Sequence, residues 1–113
     1  MKESYSTYLI SKFNRFGYGR MYYSNGDSWE GNWKDNIIDG QATYKYSNGD
    51  IFVGLYKNGK KEGPGKMVIK CNKEIIEADW QNDMKEGKGK IYSEHGKIKI
   101  VKWKYDKPLH SAM

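Results

Sequence analysis

The sequence predicts an all-β fold, an elongated single-layer antiparallel meander of about four consecutive β-hairpins. Three observations carry this reading. A Gly-x-small motif recurs at Gly17/Gly19, Gly40/Ala42, Gly63/Gly65 and Gly87/Gly89, spaced by 23, 23 and 24 residues, and a fixed period in the twenties marks a repeat array. Apolar and polar residues alternate with a period of two, as strands require, in Trp29-x-Gly31-x-Trp33, Phe52-x-Gly54-x-Tyr56 and Ile76-x-Ala78-x-Trp80. No window sustains the i, i+3, i+4, i+7 apolar spacing of a helix.

Taken in order, residues 1–16 read as an N-terminal strand or cap, because Tyr8 and Ile10 fall one period before Gly31 and Trp33. Four units follow, at about 17–39, 40–62, 63–86 and 87–106. Their strand pairs are expected near 18–23 and 28–33, 41–46 and 51–56, 64–70 and 75–80, and 88–92 and 98–104. The second unit is the clearest. Gly40 to Tyr46 alternates small or aromatic residues with polar ones, and Ile51 to Tyr56 is rich in β-branched and aromatic residues. Between them Asn48-Gly49 reads as a two-residue type I′ turn, since both residue types tolerate positive φ; Asn58-Gly59 then reverses the chain again. The fourth unit is degraded, with Lys99-x-Val101-x-Trp103 on its second strand. Residues 107–113 read as a C-terminal tail, too short for a closing helix.

Strand alternation assigns two faces. One carries Trp29, Gly31 and Trp33, then Phe52, Gly54 and Tyr56, then Ile76, Ala78 and Trp80, joined by Met21, Tyr23, Tyr44, Tyr46, Met67 and Ile69 from first strands. The small residues have a physical task there: a ring can lie across a neighbouring backbone only where no Cβ intrudes. The opposite face carries Arg20, Lys45, Lys66, Lys70, Lys88 and Lys90, a basic stripe running toward the C-terminal end.

The runs from Asn25 to Lys34 and from Asn48 to Gly65, with their Asn-Gly-Asp turns followed by aromatic-x-Gly-x-aromatic-Lys, resemble the MORN (membrane occupation and recognition nexus) repeat family. The resemblance covers about residues 17 to 103. Its third unit has Lys73 where a turn glycine is usual and Ala78 for the strand glycine; its fourth has Val101 and Lys99. These departures read as a cap to the array. The resemblance implies scaffolding roles at membranes, cytoskeleton or cilia, sometimes attached to lipid kinases or methyltransferases. Small bacterial proteins that neutralise a toxin also use such repeats.

The chain of 113 residues suggests one domain. Hydrophobic content of 37% beside 15% aromatics suits one layer with a packed face and a wet one. The single cysteine, Cys71, precludes an internal disulfide and favours a reducing compartment. Tyr8-Leu9-Ile10 is too short for a signal-peptide core. The expected location is therefore cytoplasmic, with membrane or cytoskeletal association as the alternative the resemblance brings. Net charge is +6: residues 1–56 carry 6 basic and 6 acidic side chains and residues 57–113 carry 14 and 8, so the excess sits in the second half.

Catalytic chemistry finds little support. His95 and His110 lack metal-ligand spacing, and nothing orients a Cys71/His95 nucleophile pair. Gly63-Pro64-Gly65-Lys66 and Gly87-Lys88-Gly89-Lys90 lack the Gly-Lys-Ser/Thr of a phosphate loop and sit at the repeat period. Glu30, Asp50, Glu74 and Asp79 form no acid/base pair. The chain reads as a non-enzyme with no cofactor and no metal.

Two surfaces remain. Trp29, Trp33, Tyr44, Tyr46, Phe52, Tyr56 and Trp80 form a candidate aromatic groove for a protein partner or a second copy, or else the protein's own core. The lysine stripe is a solvated face or a binder of an anionic membrane, each lysine near such a surface contributing about 1 kcal/mol. Nucleic acid is disfavoured, because single-strand binders place rings and charges in one groove. The preferred expectation is a non-catalytic interaction scaffold; an anionic-phospholipid binder and a toxin-neutralising protein are the alternatives.

Overall fold

Alternation and turn chemistry together produce the expected meander. The computed structural model describes residues 4–6, 16–35 and 37–109. Its strands are β1 (Ser4–Ser6), β2 (Phe16–Tyr23), β3 (Ser28–Lys34), β4 (Ile37–Lys45), β5 (Ile51–Lys57), β6 (Lys60–Val68), β7 (Ile75–Gln81), β8 (Met84–Tyr92), β9 (Ile98–Lys104) and β10 (Lys107–Pro108). Each pairs antiparallel with its sequence neighbours in one sheet, measuring 56 × 24 × 24 Å overall. Tyr8 and Ile10 lie outside the described residues; the short β1 pairs with Tyr22 and Tyr23 of β2. Beyond the fourth unit, Lys107 and Pro108 pair with Lys104 and Trp103.

Two kinds of turn alternate along the sheet. At one edge the connections are true two-residue turns with both central residues left-handed: Asn58 and Gly59 at φ 52° and 83°, Asn82 and Asp83 at 51° and 70°, Tyr105 and Asp106 at 52° and 68°. The opposite edge corrects the sequence reading of Asn48-Gly49. The Gly49 amide donates to the Tyr46 carbonyl and the Tyr46 amide to the Asp50 carbonyl. Only Gly49 has positive φ, at 98°. This is a three-residue loop, a tight turn followed by a left-handed glycine. Asn48 serves through its side chain, accepting from the Asp50 amide at 2.9 Å, as Asn25 and Asn72 do for Asp27 and Glu74.

The first strand of each later unit also starts earlier than predicted. Ile37–Asp39, Lys60–Glu62 and Met84–Glu86 are strand, paired back onto the preceding β3, β5 and β7. Each strand then absorbs extra residues at Gly40, Gly63 or Gly87, where φ is 105°, 88° and 77° and the register shifts. A bulge of this kind bends the strand and needs a left-handed residue. This is the role of the first glycine in each Gly-x-small motif after Gly17.

The second small residue provides a seat. A Cβ on Gly65 would strike Phe52 Cζ, lie 2.7 Å from Phe52 Cε1 and 3.1 Å from Trp80 Nε1; on Gly54 it would lie 2.7 Å from Phe52 Cζ, and on Gly89 2.5 Å from Trp103 Cζ3. Phe52, with no exposed surface, meets Trp80 and Tyr56 edge-on at centroid distances of 5.1 and 5.6 Å. A fully buried side chain of this size contributes about 1.5–3 kcal/mol. The core of this single layer is thus rings laid over bare main chain.

Candidate binding surface

On the ring-bearing face, Trp29, Trp33, Tyr44, Phe52, Tyr56 and Trp80 are each no more than 6% exposed, and Tyr46 is half-buried against them. Tyr44 and Tyr46 pack at 4.7 Å between centroids, and the Trp29 indole N–H donates to the Tyr23 hydroxyl at 3.0 Å. The structure therefore places the seven candidate groove residues in the protein's own core. Their hydrophobic area is used within the chain, and no open ring-lined groove remains among the described residues.

Lysines complete this face, a feature the sequence reading missed. Lys61 Nζ stands 5.1 Å from the Phe52 ring centroid and 5.4 Å from those of Tyr46 and Trp80. Lys85 Nζ stands 5.3 Å from Trp80 and 5.7 Å from Trp103, while pairing with Asp106 at 2.8 Å. Each aliphatic stem covers ring surface while its ammonium faces the π clouds. Asp106 is raised by burial, but hydrogen bonds and charge from Lys85 outweigh this and hold it below the ordinary carboxylate value. The phenols respond to the same burial. Tyr46 is pushed up to about 12 by desolvation and then by Asp83, Asp27 and Asp50. Tyr56 is raised further, again mainly by burial.

Hydrogen bonds between units lock the hairpins in register. Asp27 is buried; its carboxylate accepts from the Tyr44 hydroxyl at 2.9 Å and the Ser47 amide at 2.8 Å. Asp50 accepts from the Lys70 amide of the following unit at 2.9 Å. At the other edge Asp83 and Asp106 accept from the Lys61 and Lys85 amides and donate their own amides to the same residues' carbonyls.

The outer face carries the six candidate basic residues, but not as an uninterrupted stripe. Arg20 on β2 meets Glu30 on β3 at 2.9 Å, which with the Tyr18 hydroxyl holds the Glu30 carboxyl below its usual value. Lys66 on β6 meets Glu77 on β7 at 3.5 Å, and Lys90 on β8 is opposite the same Glu77. Outward carboxylates on the second strands thus interleave with the basic residues of the first strands. Lys45 and Lys88 are exposed on β4 and β8, and Lys70 is exposed in the turn after β6.

Register reveals an apolar row beside these charges. Ile51 pairs with Val68, Val68 with Ile75, Ile75 with Tyr92 and Tyr92 with Ile98. Five aliphatic or aromatic side chains on consecutive strands therefore stand side by side on the outer face. Ile98 and Ile100 are the most open of the neighbouring aliphatics, at 59% and 68%. Below this row the outer face dips into a trough of about 830 Å³ between banks that include Val53, Leu55, Pro64, Lys66, Lys88 and Lys90. No group of three or more His, Cys, Asp or Glu side chains gathers to hold a metal among the described residues, and no helix among them is long and apolar enough to cross a membrane.

The MORN repeat family matches at residues 14–28, 29–51, 52–69 and 77–97, together more than half of the chain. MORN repeat-containing protein 3 of Xenopus laevis is 39% identical across 61% of this chain and 32% of its own length. Alsin of Homo sapiens and of Rattus norvegicus is 27% identical across 65% of this chain and 5% of its own. The chain thus spans about a third or less of these curated relatives. Four consecutive matches, on hairpins of the matching period, make this chain a member of the MORN repeat family.

Proposed function

We propose that this chain is a non-catalytic interaction module that presents the outer face of its sheet to a protein partner. The observation that carries the reading is the apolar row Ile51, Val68, Ile75, Tyr92 and Ile98, set in register beside exposed lysines. The sequence pointed to the ring-bearing face; burial of those rings moves the proposed contact to the opposite one. Apolar residues surrounded by charge suit a recognition surface better than a merely solvated face. The test is affinity capture with the wild-type chain and with a Val68→Glu/Ile98→Glu variant whose fold is checked by circular dichroism. Loss of the captured partner in a folded variant supports the reading; identical capture by both contradicts it.

A second reading rests on the same juxtaposition. Lys45, Lys70, Lys88 and Lys90 beside aliphatic side chains would suit an anionic membrane surface. Flotation with vesicles separates the two. Retention by phosphatidylserine-containing vesicles and not by phosphatidylcholine alone supports membrane binding; equal behaviour toward both vesicles contradicts it.

A further inference from the structure

The outer trough has a directional chemistry that the apolar row lacks. It crosses β5 to β8 over a floor of Gly54, Gly65, Ala78 and Gly89, which are in register or nearly so. The bulges at Gly63 and Gly87 bend the strands beside it. At the β5 end its banks are Val53, Leu55 and Pro64, with Val53 and Leu55 38% and 39% exposed. At the β8 end they are Lys88 and Lys90, and Lys102 on β9 stands directly opposite Lys88.

Glu77, which also lines the trough and lies opposite Lys90, is already engaged there, as is Glu86. Glu77 is engaged by Lys66 at 3.5 Å and by the Tyr92 hydroxyl at 2.8 Å, and Glu86 pairs with Lys104 at 3.4 Å. Lys88, Lys90 and Lys102 make no ion pair among the described residues. A directly opposed Lys88–Lys102 pair costs stability, and an anion between them removes that cost. Asp79, on the lower bank between the two ends, disfavours a uniformly acidic occupant. From β5 to β8 is three strand steps, about 14 Å, which an extended chain covers in about four residues.

We propose that this trough docks an extended segment of a partner protein. An aliphatic side chain seats on Val53, Leu55 and Pro64, and a pair of carboxylates about four residues along reaches Lys88, Lys90 and Lys102. This rests on the interaction-module reading and gives it a site and a spacing.

The probe is an acetylated, amidated peptide of sequence Leu-Ser-Ser-Ser-Glu-Glu, titrated into the isotope-labelled chain and followed by amide chemical shifts. Controls are Ser-Ser-Ser-Ser-Glu-Glu and Leu-Glu-Glu-Ser-Ser-Ser. The expected result is shifts centred on Val53, Leu55, Lys88 and Lys90, with weaker binding of both controls. Lys88→Glu/Lys102→Glu should weaken binding about tenfold, and added salt should weaken it further. Leu55→Ser should weaken it about threefold. Equal binding of all three peptides, shifts confined elsewhere, or no shifts at millimolar peptide overturns the proposal. So does loss of phosphatidylserine-vesicle binding in the lysine variant with no peptide binding by the wild type. Partner capture that is lost in Val68→Glu/Ile98→Glu but unchanged in Lys88→Glu/Lys102→Glu overturns the trough alone and leaves the interaction-module reading standing.

Discussion

Strands β5 and β9 occupy the same position in their repeats and show what a single-layer core requires. On β5, Phe52, Gly54 and Tyr56 are all buried, and every second residue faces inward. On β9 the corresponding residues are Lys99, Val101 and Trp103, and only Trp103 is buried. The difference lies in the seat. The Phe52 ring crosses Gly54 and Gly65, whereas Val101 places a branched side chain in that row. Along the edge formed by the three-residue loops, the links between units weaken in the same direction. Asp27 and Asp50 each bind an amide of the following unit, while Glu74 and Lys97 hold the equivalent places and make no such bond among the described residues. Aromatic content alone does not close a one-layer sheet. Rings, small residues and carboxylate links must recur together, as they do in the first two units.

Removing the ring should separate the two strands most clearly. Phe52→Ala is expected to cost about 3–5 kcal/mol in urea unfolding, and Trp103→Ala measurably less, because β9 supplies fewer inward-facing neighbours. Equal losses would mean that the ends of the array pack as densely as its middle. Asp27→Ala should follow at about 2–3 kcal/mol, since it removes an acceptor from the Tyr44 hydroxyl and the Ser47 amide, while Asp50→Ala, at a half-buried position with one such bond, should cost about 1 kcal/mol.

Alkaline titration should act mainly on the ring-rich middle. Tyr46, pushed up to about 12, and Tyr56, raised further, keep their protons in the folded state beyond the unfolded value of 10.0. Their contribution is complete below pH 10 and is lost as pH rises through the folded values, because the unfolded chain ionises first. Melting temperature should therefore fall from pH 10 to 12, and Tyr46→Phe should shallow that fall. Gly59→Ala should have an effect as small as that of Asp50→Ala, about 1 kcal/mol, because its Cβ meets nothing within 4 Å and only the left-handed φ of 83° resists it.

Much of this pattern could be read from the chain itself. The period, the two faces, the hairpin order and the task of the small residues follow from glycine spacing and alternation. Three features did not. Lys60-Lys61-Glu62 and Met84-Lys85-Glu86 have no apolar alternation, so strands that begin before the bulge glycines look like loops. Lys61 and Lys85 read as surface charges, because nothing in a sequence marks a lysine that lies over rings. The row from Ile51 to Ile98 draws one residue from each of five strands and becomes a surface only once register is known. That the seven groove candidates serve as core was not legible for a related reason: alternation tells which residues share a face, but not whether a bent sheet closes over them.

A double-mutant cycle on Phe52 and Gly65 tests ring seating most directly. Gly65→Val should be severely destabilising in the wild-type background, where its side chain meets the Phe52 ring. With Phe52→Leu in place the same substitution should cost less, giving a coupling of about 1 kcal/mol or more. Losses that add to within about 0.5 kcal/mol would mean that the ring does not depend on bare main chain beneath it.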